Sequence, residues 1–198
     1  MINEHTWFKI KMYSQPKYID SSIDEYLQFD LESLVRYEYI NGQMYPLVGE
    51  SYNLKIISEN IFSRLRTQLY GTDCHVFASD MKVRIEPINA FYYPEASVVK
   101  DSQDRDMYFK SRPCLIVEVI SPITERIDRI EKLYNYRQIP SLQEYVLVHQ
   151  SQMKIEVYRK VYGNQWFLET LAEETILKMQ SVEVEMTMAE IYEDVEFE

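Results

Sequence analysis

Glu118 sits inside one of the most apolar stretches of the chain, Cys114-Leu115-Ile116-Val117-Glu118-Val119-Ile120. An uncompensated carboxylate there costs on the order of several kcal/mol. Three compensators fit the pattern: a lysine, a metal ion, or water at a sheet end. Three further residues stand out by position. Glu95, in "YYPEASVV", opens a second apolar strand, Glu38 lies in "YEYINGQ", and Lys132 lies in the segment directly after Glu118. Carboxylates from adjacent strand ends are the donors a hard divalent cation takes, and Mg²⁺ keeps several waters beside one or two of them. A nearby lysine then holds an attacking water or offsets the charge that develops on a phosphate. That combination suits phosphodiester hydrolysis. Each residue also has a plainer reading. Glu118 can be a structural buried acid, Glu95 a solvated strand-start acid, and Glu38 a surface charge on a hairpin. Lys132 lies four residues after Asp128, the spacing of a helix-surface ion pair worth ~0.3 kcal/mol.

The elements that must position these groups are legible in outline. "DSSIDEYLQFDLESL" (20–34) reads as a short helix, and "RYEYINGQMYPL" as a β-hairpin, since Asn41-Gly42 supplies the two φ > 0 positions of a tight turn. Leu54, Ile57, Ile61, Leu65 and Leu69 recur at helical spacing and Gly71 closes that helix. Strands are predicted near 76–86, 94–100, 114–120 and 143–149. In the 114–120 strand, alternation puts Glu118 on one face with Ile116 and Ile120. Both faces are apolar, which predicts a central strand covered on both sides. Ser121-Pro122 is a good helix start. It predicts a helix over 122–138 with Ile127, Ile130, Leu133 and Tyr134 as its apolar stripe. "KIEVYRKVYG" and "QWFLETL" read as a hairpin, and "MAEIYEDV" as a short terminal helix. The order predicts an α/β (α+β) domain with a central mixed β-sheet flanked by helices. One domain is expected over 1–198, with an N-terminal helix and hairpin (about 20–47) and an acidic C-terminal segment (171–198).

Composition narrows the partners. Cys74 and Cys114 both fall in apolar runs without a CxxC, which predicts two reduced core thiols. No run approaches the ~18 apolar residues of a membrane span, and the first residues lack a signal-peptide core. A cytoplasmic protein is expected. The net charge of -11 argues against a broad nucleic-acid surface. Its distribution matters, because residues 171–198 hold nine acids and one base, leaving only -3 for the rest. Any DNA contact must therefore be local or metal-assisted. His5, His75 and His149 show no zinc spacing, and Tyr145 and Trp166 read as core or interface aromatics. Phosphate-loop, dinucleotide and nucleophile-elbow motifs are absent.

The series "YEYINGQMYPL", "NLKIISENIFSRL", "YYPEASVV", "RPCLIVEVISPITERIDRIEKLYNYRQIPSLQEYVLVHQ" and "MAEIYEDV" resembles the Uma-type restriction endonucleases. These are a domain-of-unknown-function group in the PD-(D/E)XK nuclease superfamily. The resemblance covers about residues 22–194 and is most specific over 112–150. It implies a restriction-endonuclease-like core and Mg²⁺-dependent (or Mn²⁺-dependent) cleavage of DNA. Carried over by position, the acid of the "PD" element falls on Glu95, one methylene longer than the usual Asp. The acid of the "(D/E)XK" element falls on Glu118. Ile120 stands where the lysine of that element would be, as is usual in this family, and Lys132 from the following helix is the substitute. The family's hairpin glutamate falls on Glu38, and Tyr52 stands where a histidine is often found.

Two classes of function remain. One is a metal-dependent DNA endonuclease with Glu95 and Glu118 as metal ligands and Lys132 and Glu38 completing the catalytic set. The other is an inactive nuclease-fold protein serving as a binding or assembly module, in which Glu118 and Lys132 are a retained ion pair. For the enzyme a homodimer is expected, because cutting two antiparallel strands takes two sites related by a two-fold axis.

Overall fold

The computed structural model describes residues 17, 20–47, 49, 51–122 and 124–197. His5 and the rest of the N-terminal stretch lie outside the described residues. The chain begins with helix α1 (Ile23–Glu32), which starts on a reciprocal cap: Glu25 N donates to Ser22 Oγ at 3.2 Å, and Ser22 N to Glu25 Oε2 at 2.7 Å. Its Tyr26 is buried, stacks on Tyr39 at 4.9 Å and donates its hydroxyl to Tyr37 O. Strands β1 (Tyr37–Ile40) and β2 (Gln43–Pro46) form the expected hairpin, with Asn41 and Gly42 at φ 44° and 92°. Helix α2 (Tyr52–Gln68) is capped by Ser51 and buries Ile57, Ile61 and Leu65 one turn apart.

Two main sheets follow. The first has the order β2-β1-β5-β4-β7, using β4 (Lys82–Ile85), β5 (Ala90–Tyr92) and β7 (Phe109–Lys110). The second has six strands in the order β11-β10-β9-β8-β6-β3. Its members are β3 (His75–Ala78), β6 (Ala96–Val99), β8 (Pro113–Ile120), β9 (Glu144–His149), β10 (Ile155–Lys160) and β11 (Trp166–Leu171). Only β8 and β9 are parallel in this sheet, so a crossover must join them, and the helical segment after Ser121 supplies it. Strand β8 is central and buried along its whole length. Leu115, Val117 and Val119 face α2 and the C-terminal elements, while Ile116 and Ile120 face Leu133, Tyr136 and Tyr145. This is the mixed sheet with flanking helices that the pattern predicts. Cys74 and Cys114 are free thiols.

Four expectations need correction. The 76–86 strand is broken at Ser79–Met81, and its halves β3 and β4 belong to different sheets. The 94–100 strand begins only at Ala96, leaving Glu95 just outside it. The 122–138 helix starts as expected, with Thr124 N donating to Ser121 Oγ at 3.1 Å. It then runs as a π-helix over Ile127–Lys132 before a short α-helix α3 (Leu133–Tyr136). The changed pitch turns a different face inward: Ile130 and Tyr134 are 65% and 71% exposed, whereas Asp128, Lys132, Leu133, Asn135 and Tyr136 are buried. Finally, the acidic segment holds a further hairpin, β12 (Ile176–Met179) and β13 (Val184–Thr187), and the terminal helix α4 covers only Met188–Ile191. Leu177, Met179, Val184, Met186 and Ile191 from this segment join the core, while Glu183 and Glu185 point outward.

Candidate functional site

The register of the six-stranded sheet places the first two acids. Strands β6 and β8 are antiparallel with Ala96 opposite Val117, so one further step sets Glu95 opposite Glu118. Beyond the end of β6 the Val119 amide has no strand partner, and Glu95 Oε2 accepts it at 3.2 Å. Glu118 emerges on the helix side of β8, 2% exposed. There its Oε1 accepts from Lys132 Nζ at 3.0 Å and from the Tyr136 hydroxyl at 2.9 Å. Lys132, 4% exposed, also lies 3.1 Å from Glu38 Oε1 and 3.4 Å from Asp128 Oδ1. Glu38 comes from the other sheet, on β1, and is 1% exposed. Its Oε1 is in ion-pair contact with the ammonium but has no aligned hydrogen-bond donor. Glu38 is therefore not a surface charge, and Asp128–Lys132 is not a helix-surface pair.

Asp128, Lys132 and Tyr136, four residues apart, share the inward face of a crossover helix that contains a π-helical turn. The Leu133 amide reaches back five residues to Asp128 O, and the buried Tyr145 hydroxyl donates to the same carbonyl at 3.2 Å. A half-buried clasp ties the helix to the sheet: Arg129 pairs with Glu156 on β10 and lies 3.1 Å from His149 Nε2. Asp128 and Tyr136 are site residues beyond those singled out by position. The spacing Asp128, Lys132, Tyr136 at four-residue steps is the signal that marks them. Tyr52, at the first turn of α2, is exposed and lines no part of this cleft.

The cleft above this cluster has a volume of about 400 Å³. Its floor and walls include Glu38, Glu95, Glu118, Asp128, Lys132 and Arg36. Burial pushes Glu118 well above the ordinary carboxylate range; Lys132 opposes this, and the charge and hydrogen bond of Glu95 add to it. Glu95 is likewise raised by burial, against a hydrogen bond from Glu118 and the charge of Lys132. Glu38 is pushed up to about 7 by burial, with Lys132 pulling it down and Glu118 pushing it up. Burial alone would lower Lys132, yet Glu118, Glu38 and Asp128 together hold it well above its ordinary value. Four acids thus face one ammonium, and the charge of Glu95 adds to what burial already sets against the ionisation of Glu118.

That donor set fits a hard divalent cation. It is all oxygen, it carries more acids than bases, and a cation would offset the charge that burial disfavours on Glu95 and Glu118. Among the described residues no three His, Cys, Asp or Glu side chains form a ready-made cage. A cation here would be held by the carboxylates of Glu95 and Glu118, with water completing its shell as Mg²⁺ accepts.

A mixed sheet whose central strand carries a buried acid, met by a second acid from its neighbour and a lysine from the crossover helix, defines a restriction-endonuclease-like protein. The Uma2 family model, described as "Putative restriction endonuclease", matches residues 23–189, and the chain belongs to that family. It is 33% identical over 177 residues to "Uncharacterized protein slr1290" of Synechocystis sp., covering 89% of this chain and 93% of that one. It is 31% identical over 170 residues to "Uncharacterized protein sll1609" of the same organism, covering 84% and 93%. Its fold is similar to that of a "putative nuclease belonging to DUF820" from Anabaena variabilis, with TM-score 0.71 and 15% identity. That alignment covers 87% of this chain and 97% of the other. No helix among the described residues is long and apolar enough to cross a membrane.

Proposed function

We propose that the protein is a metal-dependent DNA endonuclease of the PD-(D/E)XK kind, hydrolysing phosphodiester bonds, with Glu95 and Glu118 holding one Mg²⁺ or Mn²⁺. The observation that carries this reading is the excess of acids over bases at a cleft floor where Glu95 and Glu118 face each other. When bound, the cation supplies Lewis-acid polarisation of a phosphate oxygen and a lowered pKa for its water. The rest falls to this chain's own groups. Lys132 fixes the position of Glu118 and sets a positive charge beneath the reacting phosphate, where negative charge grows in the transition state. Glu38 steadies Lys132 from the hairpin, and with a pKa of about 7 it can take up a proton near neutral pH. Tyr136 holds Glu118 Oε1 in a single orientation. A two-fold homodimer acting on cytoplasmic DNA is the working assembly, and a monomeric mass by light scattering at micromolar concentration removes that part of the proposal.

The closed network around Lys132 also suits the second reading, an inactive module in which these groups only hold the two sheets together. Calorimetry separates the two. On the enzyme reading, wild-type protein binds Mg²⁺ or Mn²⁺ and nicks plasmid DNA only with the metal present, and Glu118→Gln loses both properties. Protein that binds neither ion, with Glu118→Gln changing only the melting temperature, establishes the module instead.

A further inference from the structure

A second cavity, of about 490 Å³, shares no lining residue with the cleft. It lies at the other end of β8, where Arg112 directly precedes the strand and the Ser141 hydroxyl donates to Pro113 O at 2.8 Å. Glu118 is roughly 17 Å further along that strand. Arg84 lines the cavity from β4, and its guanidinium carbon lies 5.8 Å from the Phe91 ring centroid and 5.4 Å from that of Phe109. Among the described residues no carboxylate forms an ion pair with Arg84, and its Nε is buried without an acceptor. The two rings hold the guanidinium by its faces, which leaves its edge for a fork of oxygens. Gln138, in the turn after α3, brings a second orphan: its Nε2 is also buried without an acceptor. A buried donor left unpaired carries a cost that an occupant with acceptor oxygens removes. Ser111 adds a hydroxyl from a third chain segment. Donors from three segments suit the tetrahedral oxygens of phosphate better than a planar carboxylate. Two acids also line the cavity. Asp101 is matched by Arg112 at 2.7 Å. Glu86 is exposed, forms no ion pair among the described residues and acts on Arg112 only through its charge. Pro87, Ile139 and Pro140 give an apolar wall, and the volume falls in the range of small-molecule sites.

We propose that this cavity binds a phosphate group, free or carried by a small phosphomonoester, with Arg84 forking two of its oxygens and Gln138 and Ser111 donating to the others. The site stands whether or not the cleft cuts DNA. It is tested by calorimetry on metal-free protein, titrated in turn with inorganic phosphate, adenosine monophosphate and adenosine. Both phosphates should bind and adenosine should not. Tighter binding of the monophosphate identifies a monoester site, and equal or tighter binding of inorganic phosphate a site for the free ion. Arg84→Met should weaken the better phosphate ligand by about tenfold or more. Glu86→Gln removes only an opposing charge at an exposed position and should strengthen that ligand about twofold or more. Wild-type protein that binds neither phosphate, or that binds adenosine as tightly as its monophosphate, overturns the proposal. So does Arg84→Met with wild-type affinity. Should Arg84→Met fail to fold, Glu86→Gln decides alone: an affinity no better than wild type overturns the site.

Discussion

Replacing Lys132 with methionine removes the ammonium shared by Glu38, Glu118 and Asp128 while keeping most of the stem's volume. Removing one partner of a buried ion pair typically costs about 3–5 kcal/mol, because a charge is left without compensation. Protons can supply that compensation at low pH. Glu38 titrates at about 7 and Glu118 lies well above the ordinary range even with Lys132 present, so both climb further once it is gone. An acid whose folded pKa is raised contributes stability that is complete below its unfolded pKa and is lost as pH rises through the folded value. The charge on Lys132 itself, raised well above its ordinary value, does not change across this range. The cost of Lys132→Met should therefore be about 1–2 kcal/mol at pH 5.5, from lost hydrogen bonds. At pH 8 it should reach about 3–5 kcal/mol, a large part of the ~5–15 kcal/mol that holds a domain together. Urea unfolding followed by tryptophan fluorescence at the two pH values, without metal, measures it. Adding Glu38→Gln should restore at least about 1 kcal/mol at pH 8, since neighbours in one network couple. A loss that is equal at the two pH values, or not eased by Glu38→Gln, refutes the reasoning.

Three further outcomes follow from the same geometry. Glu118→Gln keeps the packing and leaves Lys132 with two carboxylates, so urea midpoints should place its stability within about 2 kcal/mol of wild type while calorimetry shows no Mg²⁺ binding. Tyr136→Phe deletes one donor to Glu118 and should cost about 1–2 kcal/mol, with metal affinity altered less than in Glu118→Gln; wild-type stability contradicts the bond. The rise of Glu38 from 4.5 to about 7 means that its ionisation is resisted by the fold. Comparing metal-free wild type with Glu38→Gln should therefore show the wild type losing ground by on the order of 3 kcal/mol between pH 4.5 and 7. A difference that stays flat over that range shows that Glu38 is not resisted in this way.

Much of this framework is written locally in the chain. Ser22 with Glu25, the Asn41-Gly42 turn, Ser51 with its four-residue aliphatic stripe, and the apolar strand around Glu118 each settle their own conformation within a few residues. The pairing of Glu118 with Lys132 could be suspected because the segment that directly follows the strand carries a lysine. The inward face of the crossover helix is another matter. A period of 3.6 selects Ile130 and Tyr134, but the partners that pull Lys132 and Tyr136 inward are Glu38 and Glu118, on two different sheets, and Asp128 follows as a further partner of Lys132. Tertiary electrostatics override the local pattern there, and the π-helical turn accommodates the result. The β12–β13 hairpin is different again. Its alternation of Leu177 and Met179 with Lys178, and of Val184 and Met186 with Glu185, is readable. Counting the charge of the segment hides that period, because the acids occupy its outward face. The division of 76–86 between two sheets leaves no local signal beyond the Ser79-Asp80 pair.

Lys132 bridges the two main sheets: Glu38 lies on one, Glu118 on the other, and the ammonium belongs to the crossover between β8 and β9. The parts consequently leave the ribosome in a fixed order, three acids first and the cation after Asp128, and β9 must still be made before the crossover helix has a parallel partner to pack behind. Contacts so distant in sequence are the last to be rewarded during folding. A nascent or truncated chain ending before Leu133 has no docked helix to present Lys132, so its acids stand apart. On the proposed function, cutting competence is then a property that appears only with the finished tertiary structure, and fragments left by proteolysis or interrupted synthesis are inert toward the cell's own DNA.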